Sequence, residues 1–428
     1  MNGFPIKEAK KHLAKIQAIP ESEYEAFVKN QRQEIVDYHL KNNLFYQKFI
    51  GNHSVEKWED IPITTKKDLQ IPLNERLSKG FSQKNCYINK TSGSSGHPLI
   101  FAKDKFCHAM TWAEIINRFG WFGIDFNRSY QARFYGIPLD FKSNLKEKIK
   151  DFLSHRYRFP VFILSDKKLE KFITTFKKKK FEFINGYTSA IVLFAKKLKK
   201  KKIVLSNICP TLKYCVVTSE MLYDNDKILL EKWLGVPIIN EYGASELDLI
   251  AFTDKKKQFR VNSENLFVEI LDKNNDPLPY GEPGKIVITS LFNKAHPMIR
   301  FEVGDQGILS TKSTLKSPIL NSLLGRADDI AYLKNGKTIL GHALTYITKS
   351  VVEDSGNVKE FIIEQHQLDT FHIIYVSERA LNTSEISKIK KALNGYLESS
   401  LNLTFERVEV LNRSKRGKLK QFVSLLKI

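Results

Sequence analysis

Residues 91 to 98 read TSGSSGHP, four hydroxyl side chains and two glycines in eight positions. The hydroxyls of Thr91, Ser92, Ser94 and Ser95, with the backbone N–H groups that Gly93 and Gly96 leave open, have the makings of a cradle for phosphate oxygens. The same composition suits a flexible turn, and the run alone does not separate the two readings. CYIN before it and PLIFA after it have strand character, so the run closes a hairpin. A Walker loop opens a helix and ends in Gly-Lys-Ser/Thr, and neither feature is present.

Two further stretches gain meaning from the elements that carry them. From Phe181 the apolar period alternates: FEFIN predicts a strand, SAIVLFAKKLKK a helix, LKYCVVTS a strand, NDKILLEKWLG a helix and VPIIN a strand. That alternation implies a parallel sheet with crossover helices. Ligands of such sheets gather beyond the carboxyl ends of the strands, which is where TSE at 218–220 and EYGASE at 241–246 fall.

Elsewhere the patterns differ. Residues 21 to 50 read as helix, with Val36, Leu40 and Leu44 on one face. EDIPITTKKDLQIP follows as a loop whose Thr-Thr pair has the chemistry to cap a short helix. Between 258 and 312 alternating apolar residues around Asn, Pro and Gly turns predict a smaller antiparallel unit. After LLGRADDI about a hundred residues carry short strands and one helical segment, SEISKIKKALNGYLESSL, read as a separate α+β domain.

The chain has 428 residues, 42% of them hydrophobic, enough for a sizeable core. Lys plus Arg number 68 against 47 acids, a formal charge of +21, which invites a polyanion or an acidic membrane surface. Much of the excess sits in KKKK at 177–180 and KKLKKKK at 196–202, at the ends of helical patterns, where cations offset the helix dipole. No RNA-binding or zinc-finger signature accompanies it, so no nucleic-acid partner is expected. Cys86, Cys107, Cys209 and Cys215 form no CxxC pair, and His108 and His155 stand without partners at metal spacing. No apolar run approaches the roughly 20 residues of a membrane span, and no signal-type segment opens the chain, so a cytoplasmic location is expected.

Taken in order, QRQEIVDYHLKNNLFYQKFIG, IPITTKKDL, TSGSSGHP, FINGYTSAIVLFAKKL, NEYGASE, PMIRFEVGD, LGRADDI and RSKRGK resemble the adenylate-forming superfamily. The likeness is to phenylacetate-CoA ligase relatives, and within them to CapK-type proteins of capsular polysaccharide biosynthesis. It covers nearly the whole chain. It implies that a carboxylate attacks the α-phosphorus of MgATP, giving an acyl adenylate and pyrophosphate, and that an acceptor then displaces AMP.

The resemblance assigns residues. Thr91, Ser92, Gly93, Ser94, Ser95 and Gly96 would hold the β- and γ-phosphates. Glu246 would bind magnesium, a hard ion that prefers carboxylate oxygen. Tyr242, with Gly243 and Ser245 of the same motif, would pack near adenine, with Ser219 and Glu220 lining the same pocket. Asp305 would bind the ribose hydroxyls with Arg326 on the ribose side, and Asp328 would be the hinge. Lys418 would bridge the acyl carboxylate and the α-phosphate, neutralising charge in the transition state.

The expected molecule is thus an α/β protein. A large N-terminal domain, residues 1–325, would combine parallel sheets flanked by helices with an antiparallel β unit, and residues 326–428 would form a small mobile α+β lid. CoA is the expected acceptor, although the proline segment that usually follows GRADDI is missing; Glu302, where the family often has a second arginine, removes a positive charge that would make an extra phosphate contact. A sugar amine or a carrier-protein thiol is the alternative acceptor. The rival from another class is a non-catalytic basic scaffold that binds a polyanion.

Overall fold

The computed structural model describes residues 3–91, 99–136, 141–161, 164–326, 330–335, 338–340, 344, 348, 357–397, 401–413 and 419–426. The chain forms two compact units, residues 1–125 with 240–323, and residues 126–239 with 324–428.

The first unit opens with helices α1 (Ile6–Ala18), α2 (Glu21–Asn42) and α3 (Leu44–Ile50). The helix expected over 21–50 is broken at Asn43, whose side-chain oxygen accepts from Tyr46 N at 2.8 Å and so starts α3. The break turns Leu44 to solvent, 71% exposed, so it does not share the buried face of Val36. The Thr-Thr pair does not start a helix: Asp68 accepts from Thr65 N and Oγ1 in a turn, and α4 (Leu73–Arg76) comes later.

Strands β1 (Tyr87–Lys90) and β2 (Ile100–Lys103) form the expected antiparallel hairpin. At its loop end Thr91 N donates to Leu99 O and Leu99 N to Thr91 Oγ1, both at 2.9 Å. Helix α5 (Lys105–Gly120) follows, capped by Asp104, which accepts from Phe106 N and Cys107 N.

Phe134, Phe159, Phe172, Phe176, Ile184 and Phe194 make the largest core, in the second unit. There β3 (Gln131–Tyr135), β4 (Arg156–Pro160), β5 (Phe183–Tyr187) and β6 (Tyr214–Thr218) pair in parallel in the order β4-β3-β5-β6. Helix α6 (Phe141–Leu153) joins β3 to β4, α7 (Asp166–Lys178) joins β4 to β5, and α8 (Thr188–Lys201) with the short α9 (Leu205–Ile208) joins β5 to β6. Leu169, Phe172, Ile173 and Phe176 place one face of α7 in that core, as their 3-4 spacing dictates. Helix α10 (Asp224–Leu234) leads to β7 (Ile238–Ala244), most of which belongs to the first unit.

In the first unit β7 turns back antiparallel on β8 (Asp248–Thr253), followed by β9 (Phe259–Val261). The antiparallel region expected after 258 is the four-stranded sheet β10 (Leu266–Leu271), β11 (Pro283–Ser290), β12 (Phe301–Leu309) and β13 (Leu320–Arg326). The second unit ends with β14 (Ile330–Tyr332), β15 (Thr338–Leu340), β16 (Val358–Gln367), β17 (Thr370–Ser377), α11 (Thr383–Leu397), β18 (Asn402–Arg407) and β19 (Phe422–Ser424). Among the described residues no helix is long and apolar enough to cross a membrane.

Candidate active site

In the first unit the site is built on the tight return from β7 to β8. A Cβ on Gly243 would stand 2.4 Å from Asp248 O, so only glycine lets the strands approach this closely. Asp248 has φ +57°, and the sharp turn it completes carries Ser245 and Glu246. Glu246 is buried, with a carboxylate oxygen 3.7 Å from Lys66 Nζ. Tyr242, on the same strand, donates from Oη to Asp305 Oδ2 on β12 at 2.7 Å. The expected aromatic residue and the expected ribose acid are therefore direct neighbours, although 63 positions separate them in the chain.

Two fixings hold the β1–β2 hairpin in the same unit. Lys103, at the end of β2, is buried and pairs with Asp248, the residue two after Glu246. Arg76, at the end of α4, donates from Nη2 to Ile100 O at 2.8 Å, from Nε to Ile71 O at 3.1 Å and from Nη1 to His296 Nε2. Burial pulls the Arg76 guanidinium down to about 10. Behind it His39 donates from Nε2 to Asn293 O and accepts from Ser78 Oγ at Nδ1, so its neutral form is fully bonded. Burial pushes His39 down to about 4.

In the second unit Ser219 follows β6 with φ +71° and is exposed. Glu220 acts on the start of α8: its Oε2 accepts from Ser189 N at 2.7 Å, and Thr188 Oγ1 donates to its backbone oxygen at 3.2 Å. A carboxylate at a helix N-terminus satisfies an orphan N–H and suits the dipole. The other oxygen of Glu220 accepts from Leu419 N at 3.1 Å. Arg413 donates to Ser189 Oγ at 3.2 Å and pairs with Glu360. The residues flanking 414–418 are thus tied on both sides to the beginning of α8 or its neighbours.

Ser92 to Gly96, Asp328 and Lys418 lie outside the described residues, and of Arg326 only the backbone at the end of β13 is described. Sequence reasoning left Lys66, Lys103, Asp248 and Arg76 without roles. Lys66 stands inside the quoted IPITTKKDL stretch, a signal that was available. The pairing of Lys103 with Asp248 spans 145 positions and leaves no local trace. His108 stacks on Tyr87 with centroids 3.8 Å apart, a packing role. Among the described residues no group of three or more His, Cys, Asp or Glu could hold a metal ion.

No protein-family model matches the chain. Its α/β fold, mixed sheets flanked by helices, is that of adenylate-forming ligases. The crystal structure of a 2-hydroxyisobutyryl-CoA ligase in the postadenylation state, in complex with R3-HIB-AMP, matches with TM-score 0.74 at 16% identity, covering 96% of this chain and 91% of that one. The anthranilate CoA ligase AuaEII in complex with anthranoyl-AMP matches with TM-score 0.55 at 14% identity, over 78% of this chain and 64% of that one. In sequence, a phenylacetate-coenzyme A ligase of Thermus thermophilus is 20% identical over 340 residues, 74% of each chain. These relatives are ligases, and the likeness of this chain to the solved structures is one of fold.

Proposed function

We propose that the chain activates a carboxylic acid with ATP and passes the acyl group to a thiol, that of CoA. The carboxylate oxygen bonds to the α-phosphorus, the bond from that phosphorus to the bridging oxygen breaks, and pyrophosphate leaves. The thiolate sulfur then attacks the acyl carbon, and AMP departs with the electrons of the broken C–O bond. The observation that carries the reading is the end of β7: Tyr242 bonded to Asp305, and Glu246 buried beside Lys66, in a fold shared with ligases.

Glu246 fits a magnesium ion. It is a buried oxygen donor whose one ion-pair partner among the described residues, Lys66, stands off at 3.7 Å, so a hard cation can replace it. Magnesium bound there would offset the negative charge of the phosphates. In the same proposal Thr91 and the hydroxyls and N–H groups of residues 92–96 hold the β- and γ-phosphates. Tyr242, with Gly243 and Ser245, lies by the adenine, and Asp305 and Arg326 take the ribose. Ser219 and Glu220 are the residues assigned to the adenine pocket by the resemblance, and Glu220 also holds Leu419, next to Lys418. Lys418 neutralises the charge that develops as the adenylate forms. Residues 326–428 serve as the lid, with Asp328 as its hinge, and ATP and CoA place the reaction in the cytoplasm.

A sugar amine or carrier thiol in polysaccharide assembly, as the CapK-type likeness suggests, is the second reading; the missing proline segment after GRADDI favours it. Acid-dependent exchange of labelled pyrophosphate into ATP tests the first half-reaction, with aryl, fatty and amino acids as the panel and Lys418→Ala as control. Exchange with one acid class, lost in the variant, supports adenylation; neither exchange nor ATP binding points to the scaffold. Product formation that requires CoA then separates the two acceptors.

A further inference from the structure

Helix α6 is inverted relative to an ordinary surface helix. Its acids face the protein: Asp151, buried, accepts from Arg156 Nε at 2.5 Å and Arg158 Nε at 2.7 Å, and Glu147 accepts from Arg158 Nη2 at 2.8 Å. Its described apolar residues face away. Leu145 is 49% exposed, Ile149 52%, Phe152 83% and Leu153 76%. Offsets of four, seven and eight place these side chains in one stripe along the helix. Folded proteins rarely leave such a contiguous apolar stripe to water unless something covers it.

The charges beside the stripe say what covers it. Lys148 and Lys150 are exposed. Both of its carboxylates are engaged, Asp151 by the two arginines and Glu147 by Arg158 and Lys150. A second copy of the chain would bring lysine against lysine with no carboxylate to answer. An anionic bilayer answers both features, acyl chains for the stripe and headgroup phosphates for the lysines. The formal charge of +21 adds attraction at longer range.

We propose that α6 docks the protein on an anionic membrane surface, lying in the plane of the headgroups with Leu145, Ile149, Phe152 and Leu153 at the acyl boundary. This is attachment to one leaflet, with no crossing of the bilayer, and it stands independently of the ligase reading.

Sedimentation with vesicles tests it, comparing phosphatidylcholine alone with phosphatidylcholine containing about one third phosphatidylglycerol. The full chain is expected to pellet with the anionic vesicles and stay in solution with the neutral ones. Ile149→Glu with Phe152→Glu should lower the partition coefficient about tenfold or more. Lys148→Glu should lower it less. Phe152→Ser alone, a milder change at a solvent-facing position, should give an intermediate loss, and unchanged melting of each variant would certify its fold. Absence of binding to anionic vesicles at low salt overturns the proposal. So does equal binding by the double variant, which would reduce the effect to generic basic charge. Self-association of the wild type that disappears in the double variant, without vesicle binding, assigns the stripe to a second copy.

Discussion

Glu246 is buried, and its one ion-pair partner among the described residues, Lys66 at 3.7 Å, is too far for a hydrogen bond. Glu246→Gln keeps size and shape, so the melting temperature should hold while pyrophosphate exchange falls about a hundredfold or more, measured at saturating ATP and magnesium. Tyr242→Phe removes only the hydroxyl bonded to Asp305. Loss of one hydrogen bond to a charged group corresponds to about tenfold, expected in the KM for ATP with little change in kcat. A fall in kcat with KM unchanged would place Tyr242 outside nucleotide binding.

At the scale of elements, the parallel strands depend on close approach at Gly186 in β5. A Cβ there would stand 2.4 Å from Phe134 O and 2.5 Å from Phe134 Cβ, both on a neighbouring strand with no room to yield. Gly186→Ala should cost about 2 kcal/mol or more, read as a lower denaturation midpoint at constant m-value. These strands and their helix were legible because β5 and β6 are buried along nearly their whole length and α8 over Ala190 to Ala195, and burial on all sides writes apolar runs into FEFIN, SAIVLFAKKLKK and LKYCVVTS. Asn43 shows where that legibility ends: its apolar neighbours continue the helical spacing, and only the polar cap shows that the chain stops and restarts. Helix α6 shows a second limit. Periodicity reveals that Leu145, Ile149 and Phe152 share a side, but the direction of that side is fixed by Arg156 and Arg158 on another element. The candidate site divides in the same way, since the Tyr242 and Glu246 motif is local and quotable, whereas Lys103, 145 positions from Asp248, reaches it only through the fold.

For the whole molecule, acid should be more harmful than alkali. His39 is held at about 4 by burial, against an ordinary value of 6.5, and His296 is pushed well below its ordinary value by burial and by the Arg76 cation beside it. The unfolded chain therefore binds protons that the folded chain refuses, so their contribution is complete above about pH 6.5 and declines as the pH falls toward 4. At pH 5, His39 alone should account for about 2 kcal/mol lost relative to pH 7. Urea midpoints at the two pH values check this. His39→Gln should lower stability at pH 7 and flatten the difference, and an undiminished difference would assign the acid sensitivity elsewhere. The +21 charge, which protonation only increases, works in the same direction through self-repulsion.

The double engagement of Glu220 also makes one amide proton informative. Leu419 N is held by the same carboxylate that caps α8, and Leu419 is the immediate neighbour of Lys418. If the C-terminal segment swings between half-reactions, this bond must open, and the Leu419 amide then exchanges with deuterium while the amides of β5 stay protected. Exchange at that position should slow when an acyl adenylate analogue is added and quicken with CoA, timing the swing from a single backbone atom.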